Sequence, residues 1–249
     1  MKRFTLTVVL GVIISFAAVT FTQAQVLVSV NFQGGNTVGL AASDIAGASP
    51  FDGVNWNNAL GASGGPIILN DATGAASALT LTSYAAGPFG VDGPSTDNST
   101  PQKILFGGAL DVNFGNATFT IDGLSAFSSY DLVVYYDGGT SFPAARHADI
   151  IASGSALTYY VAGIDSVYDS YTQSNSTDSG TFASGNYVVF SGLIAGSETV
   201  TMEYGNNSMG LVGFQVLGTQ AVPEPSTWAL MTGGLGLLVG FQQLRRRRA

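Results

Sequence analysis

Apolar and polar residues alternate with a period of two along much of this chain, the spacing of half-buried strands. Val26, Val28, Val30 and Phe32 form one face of the first run, with Leu27, Ser29 and Asn31 on the other. Ala78 to Tyr84 turns Leu79 and Leu81 inward and Thr80 and Thr82 outward. Tyr130, Leu132, Val134 and Tyr136 share a face, and Asp137-Gly138-Gly139 ends that run with turn chemistry. Further strands are predicted at Ile67 to Asn70, Gln102 to Phe106, Ala117 to Ile121, Asp149 to Ala152, Thr158 to Val161, Tyr187 to Phe190, Thr199 to Tyr204 and Leu211 to Leu217. Gly87 to Pro101 and Ser170 to Gly180 are polar and turn-rich and read as loops. One short helix is predicted near Leu40 to Ile45. Many short strands without amphipathic helices predict an all-β fold, an antiparallel sandwich of jelly-roll type, with a closed barrel as the alternative.

Two continuous apolar stretches break this pattern, one at each end. Lys2 and Arg3 precede an apolar region from Leu6 to Phe21, and Thr22-Gln23-Ala24 closes it with small residues. This is the layout of a secretory signal peptide, an N-terminal signal helix cut after Ala24. Export through the Sec machinery and signal peptidase fits a chain without cysteine, which needs no disulfide and offers no thiol chemistry. At the other end, Ser226 to Leu244 carries no charge. As a helix it spans roughly 28 Å, close to a bilayer's hydrocarbon core. Gly233, Gly234, Gly236 and Gly240 make it a weak permanent anchor. Arg245, Arg246, Arg247 and Arg248 follow at once and act as a stop-transfer signal that leaves the C-terminus cytoplasmic. The division is therefore residues 1–24 as signal peptide, 25–221 as an exported body and 222–249 as a tail with a transmembrane helix.

Charge changes sign between the tail and the body. Between Gln25 and Ala221 stand fifteen acidic residues against Lys103 and Arg146, a net charge of −13. Such a body repels nucleic acid and anionic surfaces and leaves cations and neutral glycans as partners.

Pro223, Glu224 and Pro225 precede the apolar tail segment. Each proline disfavours the helical conformation at the residue before it, so the tripeptide is extended and readable by an enzyme. Tripeptide, membrane-length segment and arginine cluster, in that order, resemble the PEP-CTERM sorting signal of Gram-negative bacteria. The resemblance implies recognition by an exosortase, an integral-membrane processing enzyme. It further implies removal of the tail and delivery of the body to the cell surface or its exopolysaccharide. In the body, Ile121-Asp-Gly-Leu124 followed by Tyr130-Asp-Leu-Val-Val-Tyr135, and the closing Gly210 to Leu217, resemble strands of galactose-binding-like jelly rolls. That resemblance implies a fold and transfers no binding residue.

Candidate chemistry is sparse. His147 is the only histidine, so a centre built from several histidines or cysteines is excluded. No Gly-x-Ser-x-Gly elbow is present, and His147, beside Arg146, reads as a solvated loop residue. Glu198 and Glu203 are five apart on one strand and so face opposite ways, which argues against a glycosidase pair. Structural calcium is open through loop oxygens, with Asp92, Asp97 and Asn98 or Asp165 and Asp169 as candidates. Trp56, between Asn55 and Asn57-Asn58, reads as core packing or as a sugar-stacking ring. Three functions follow in order: a non-catalytic surface or matrix protein, a carbohydrate-binding module in exopolysaccharide, and a secreted glycan hydrolase.

Overall fold

The computed structural model describes residues 24–33, 38–86, 97–112, 115–137, 146–164, 168, 170–206, 209–220 and 233–236. The strands are β1 (Gln25–Gln33), β2 (Asn57–Leu60), β3 (Ser63–Gly64), β4 (Ile67–Asn70), β5 (Ala76–Ala85), β6 (Leu110–Asp111) and β7 (Ala117–Asp122). They continue as β8 (Phe127–Asp137), β9 (His147–Ala152), β10 (Thr158–Gly163), β11 (Ala183–Gly185), β12 (Tyr187–Leu193), β13 (Ser197–Asn206) and β14 (Gly210–Gln220). One sheet runs β12-β8-β14-β1-β2, with β6 also on β14. The other runs β11-β10-β9-β13-β7-β5-β3, with β4 also on β5. The pairing is antiparallel except at β1–β2 and β10–β11. An all-β sandwich results, compatible with the jelly-roll expectation.

The alternation read from sequence is what closes the two sheets on each other. Val28, Val30 and Phe32 of β1, Leu132, Val134 and Tyr136 of β8, and Phe214 and Val216 of β14 face Leu79 and Leu81, Phe119 and Ile121, Ile150, and Val200 and Met202. At the centre Phe119 stacks on Phe214 across the sandwich, with centroids 4.5 Å apart and planes 10° apart. Such a pair adds about 0.5–1.5 kcal/mol beyond its buried area.

Two local expectations are corrected. Gln102 to Phe106 is not a strand; Pro101–Leu105 forms the helix α1. Thr100 caps it, its hydroxyl accepting from Lys103 N at 3.3 Å, and Pro101 sits in the first turn, where its missing N–H costs nothing. Leu40 to Ile45 forms turns instead of a helix. Asp44 ties it locally, through its N–H to Ala41 O (3.0 Å) and its carboxylate to Ala41 N (2.8 Å).

The outer face of the first sheet is covered. The irregular segment 38–56 and α1 lie over it and enclose a second apolar cluster of Leu40, Phe51, Trp56, Phe106, Val133 and Tyr135. Side chains hold the segment's backbone in place: Tyr135 accepts from Ala48 N (2.8 Å), Tyr171 accepts from Gly47 N (2.9 Å), and Gln215 Nε2 donates to Phe51 O (2.8 Å). Gly47 has φ +105, and a Cβ there would meet Gln215 Oε1, so the approach requires glycine.

The register sorts the connections between two ends. Gln25 of β1 pairs with Thr219 of β14, and Gln220 pairs with Phe127 of β8. The turns at 123–126, 153–157 and 193–197 lie at this same end. Gln33, Asp137, His147, Gly163 and Gly210 mark the opposite end.

Candidate functional site

The candidate side chains of the body are mostly structural in placement. Trp56 is 5 % exposed, and its indole N–H donates to Gly53 O at 3.1 Å. Its ring packs against Tyr135 with centroids 6.1 Å apart, so no face is open for a sugar. Glu198 and Glu203 do face opposite ways: Glu198 is fully buried and Glu203 is exposed. Glu198 accepts from Tyr130 Oη (3.0 Å), Ser153 Oγ (2.8 Å) and Gly154 N (2.5 Å). Burial, then the Glu198 charge, raises the Tyr130 phenol well above its ordinary range. These contacts tie the second sheet to the first and engage both carboxylate oxygens.

His147 does not lie in a loop. It opens β9, half-buried, with its ring 4.2 Å from the Phe182 ring. The alternation of β9 places Ala148, Ile150 and Ala152 in the core and His147, Asp149 and Ile151 on the outer face. Asp149 lies directly opposite Glu203. Burial first, and that neighbouring charge second, raise its carboxyl above the ordinary value.

Of the calcium candidates, Asp92, Asp165 and Asp169 lie outside the described residues. Asp97 accepts from Lys103 Nζ at 2.8 Å and from Ser99 N at 2.9 Å, and the lysine bond leads in lowering it to about 2. Among the described residues no group of three or more His, Cys, Asp or Glu could hold a metal ion.

One arrangement escaped the sequence reading. Tyr135, Tyr171 and Tyr187 cluster on the outer face of the first sheet, with Tyr171 and Tyr187 half-buried and their centroids 6.5 Å apart. Burial pushes Tyr171 up to about 12. The signal available was Tyr135 beside Tyr136, since one of two adjacent strand tyrosines must face outward.

The two ends of the body meet. Ala24, where signal cleavage is expected, is exposed, and its carbonyl accepts from Gln220 N at 3.0 Å. Gln220 ends β14, and the tail begins directly beyond it. Residues 221–248 match the family PEP-CTERM protein-sorting motif.

That match covers the tripeptide Pro223, Glu224 and Pro225, the apolar segment and the arginines Arg245, Arg246, Arg247 and Arg248. Most of the PEP-CTERM segment, like the signal peptide expected before Ala24, lies outside the described residues; Gly233–Gly236 within it is helical. Among the described residues no helix is long and apolar enough to cross a membrane. The motif supports an exported protein, transiently held through its C-terminal region and processed by an exosortase. No curated protein and no solved structure matches the chain.

Proposed function

We propose that this chain is a non-catalytic cell-surface or extracellular-matrix protein, delivered as an acidic β-sandwich and released from its PEP-CTERM tail by an exosortase. The observation that carries this reading is the sorting motif at 221–248, starting at the residue after the last strand. The motif's tripeptide follows in sequence three residues after Gln220, where the membrane enzyme would read it. In this reading the N-terminal segment enters the Sec machinery and is cut by signal peptidase after Ala24. The apolar tail segment spans the inner membrane, and the arginines hold the C-terminus in the cytoplasm. The burial of Glu198 and its use in tying the sheets together support a structural body. The deciding experiment is fractionation of cells with and without the processing enzyme. A shorter form outside the membrane fraction is expected only in the first, and an identical distribution in both would sink the reading.

A second reading, a carbohydrate-binding module in exopolysaccharide, is favoured by the half-buried pair Tyr171 and Tyr187, with Asp52 close enough to raise the phenol of Tyr171. Half-buried rings beside an acceptor suit a neutral sugar. Retention of the exported protein on a polysaccharide panel, lost on Tyr187→Ala with the fold intact, would support it. No retention on any polysaccharide would remove it.

A further inference from the structure

We propose that the end of the sandwich from which the tail leaves is a lipid-facing surface, and that Ile194 and Leu157 at its turns contact the bilayer while the tail is attached. The inference rests on the reading of the apolar tail segment as a membrane span.

The first argument is reach. Gln220 closes β14, and the uncharged segment opens at Ser226, six residues later. Fully extended, that connection covers at most about 20 Å. The headgroup layer takes up roughly 5–8 Å of it on each side of the membrane. The eleven residues of β14 measure about 36 Å along the strand, longer than the whole tether. Two prolines in the connection stiffen it further. The tail-side end of the body is therefore held close to the headgroups, and the opposite end is directed away from them.

The second argument is the character of that end. Three turns meet there: Gly123-Leu-Ser-Ala126, Ser153-Gly-Ser-Ala-Leu157 and Leu193-Ile-Ala-Gly-Ser197. They touch one another: Leu124 N donates to Gly196 O at 3.1 Å, and a Cβ on Gly154 would meet Ala195 Cβ. None of their residues is charged, in a body whose net charge is −13. Ile194 is 79 % exposed and Leu157 is 47 % exposed. A lone exposed aliphatic residue means little. Two on adjoining uncharged turns, at the end a short tether holds near lipid, do carry meaning. The carboxylates that flank these turns bond within the fold: Glu198 is buried and accepts from Ser153 Oγ at 2.8 Å, Asp131 accepts from Gly192 N at 2.8 Å and Asp122 from Thr82 Oγ1 at 2.5 Å. The turn tips themselves thus carry no charge, and each aliphatic tip gains by leaving water.

The chain has no cysteine, so single-cysteine variants of the full exported chain report one position each. Ile194→Cys, Leu157→Cys, Leu60→Cys and Leu237→Cys would each carry an environment-sensitive fluorophore. The labelled proteins would be reconstituted into phosphatidylcholine vesicles with nitroxide-labelled acyl chains. Leu60 is exposed at the opposite end, and Leu237 lies in the tail. Blue-shifted, quenched emission is expected at 194, 157 and 237, and water-like emission at 60. Water-like emission at 194 and 157 with quenching at 237 overturns this proposal and leaves the tail reading intact. No quenching at 237 overturns the tail reading and this proposal with it. Equal quenching at 60 also overturns it, because the body would then lie on its side. Protection at 194 only when the processing enzyme is present assigns the face to that enzyme and overturns lipid contact.

Discussion

Tyr130 Oη donates a 3.0 Å hydrogen bond to Glu198 Oε2 across the interior of the sandwich. The tyrosine belongs to β8 of the first sheet and the glutamate to β13 of the second, so this buried polar contact joins the sheets, as Tyr159 Oη does by donating to Val189 O at 2.7 Å. Glu198 also binds the β9–β10 turn through Ser153 and Gly154, and the three contacts close the tail-side end of the domain.

Tyr130→Phe removes one donor, leaves the carboxylate with two, and is expected to cost about 1–3 kcal/mol. Glu198→Ala strands the buried Tyr130 hydroxyl, releases the two donors of the exposed Ser153-Gly154 turn to water and opens a cavity, at about 2–5 kcal/mol. The double variant should cost less than the sum, because both substitutions break the same contact. Chemical denaturation measures all three, and additive costs would show that the two side chains do not depend on each other.

Tyr135 anchors the covering segment from the other side of the first sheet. Its hydroxyl donates to Gln215 Oε1 at 2.5 Å and accepts from Ala48 N at 2.8 Å. Tyr135→Phe keeps the ring and strands two buried polar groups, for about 1–3 kcal/mol. Because the lost bond holds 38–56 in place, hydrogen exchange should quicken first at Ala48 and its neighbours. Exchange that quickens equally in β7 and β13 would mean that the segment opens only with the whole domain.

The inner faces of the sandwich were legible in the sequence, because a period of two leaves a record at every second residue. Val28, Val30 and Phe32, Leu79 and Leu81, and Tyr130 through Tyr136 all fall where alternation places them. The outer face of the first sheet was not legible. Ser29, Asn31 and Gln215 have the polarity of solvated positions, yet each is at least 98 % buried. Their burial depends on the cover from 38–56, a contact distant in sequence that no local pattern records. Strand β2 was missed for a related reason: Asn57-Asn-Ala-Leu60 has weak strand character, and its parallel pairing with β1 holds it in place. The Asn57 side chain supports that edge through bonds to Ser29 O (2.9 Å) and Asn70 O (2.8 Å). For the sorting site the legibility was reversed. The tail's order of tripeptide, apolar segment and arginines was plain in sequence, whereas the meeting of Ala24 with Gln220 required the fold.

Asp149 sets a pH dependence. Burial and the facing charge of Glu203 raise its carboxyl above the ordinary value of 3.8, so ionisation costs the folded state more than the unfolded one. That penalty is fully present above the raised folded value. It fades as pH falls through that value and is gone below about 3.8, where both states hold the proton. Asp149→Asn should therefore raise the midpoint of thermal unfolding at pH 7 and have no advantage at pH 3. A gain that is equal at both values would point to packing, not charge.

The sorting reading makes its strongest demand on Glu224. The glutamate follows Gln220, the last residue of β14, by four positions in sequence, and its replacement is expected to leave the body's unfolding transition unchanged. Its flanking prolines keep the backbone extended whatever side chain stands between them. Glu224→Ala therefore alters the chemistry presented to the exosortase without altering the shape of the strand end. The expected result is a longer form held in the membrane fraction, with the exported body folded as in wild type. Deleting Arg245 to Arg248 tests the other half of the signal and should let the tail slip through the membrane, exposing the C-terminus to external protease. Processing of Glu224→Ala at the wild-type rate would remove the tripeptide from the recognition site. Enzyme recognition would then have to come from the apolar segment or from the end of β14.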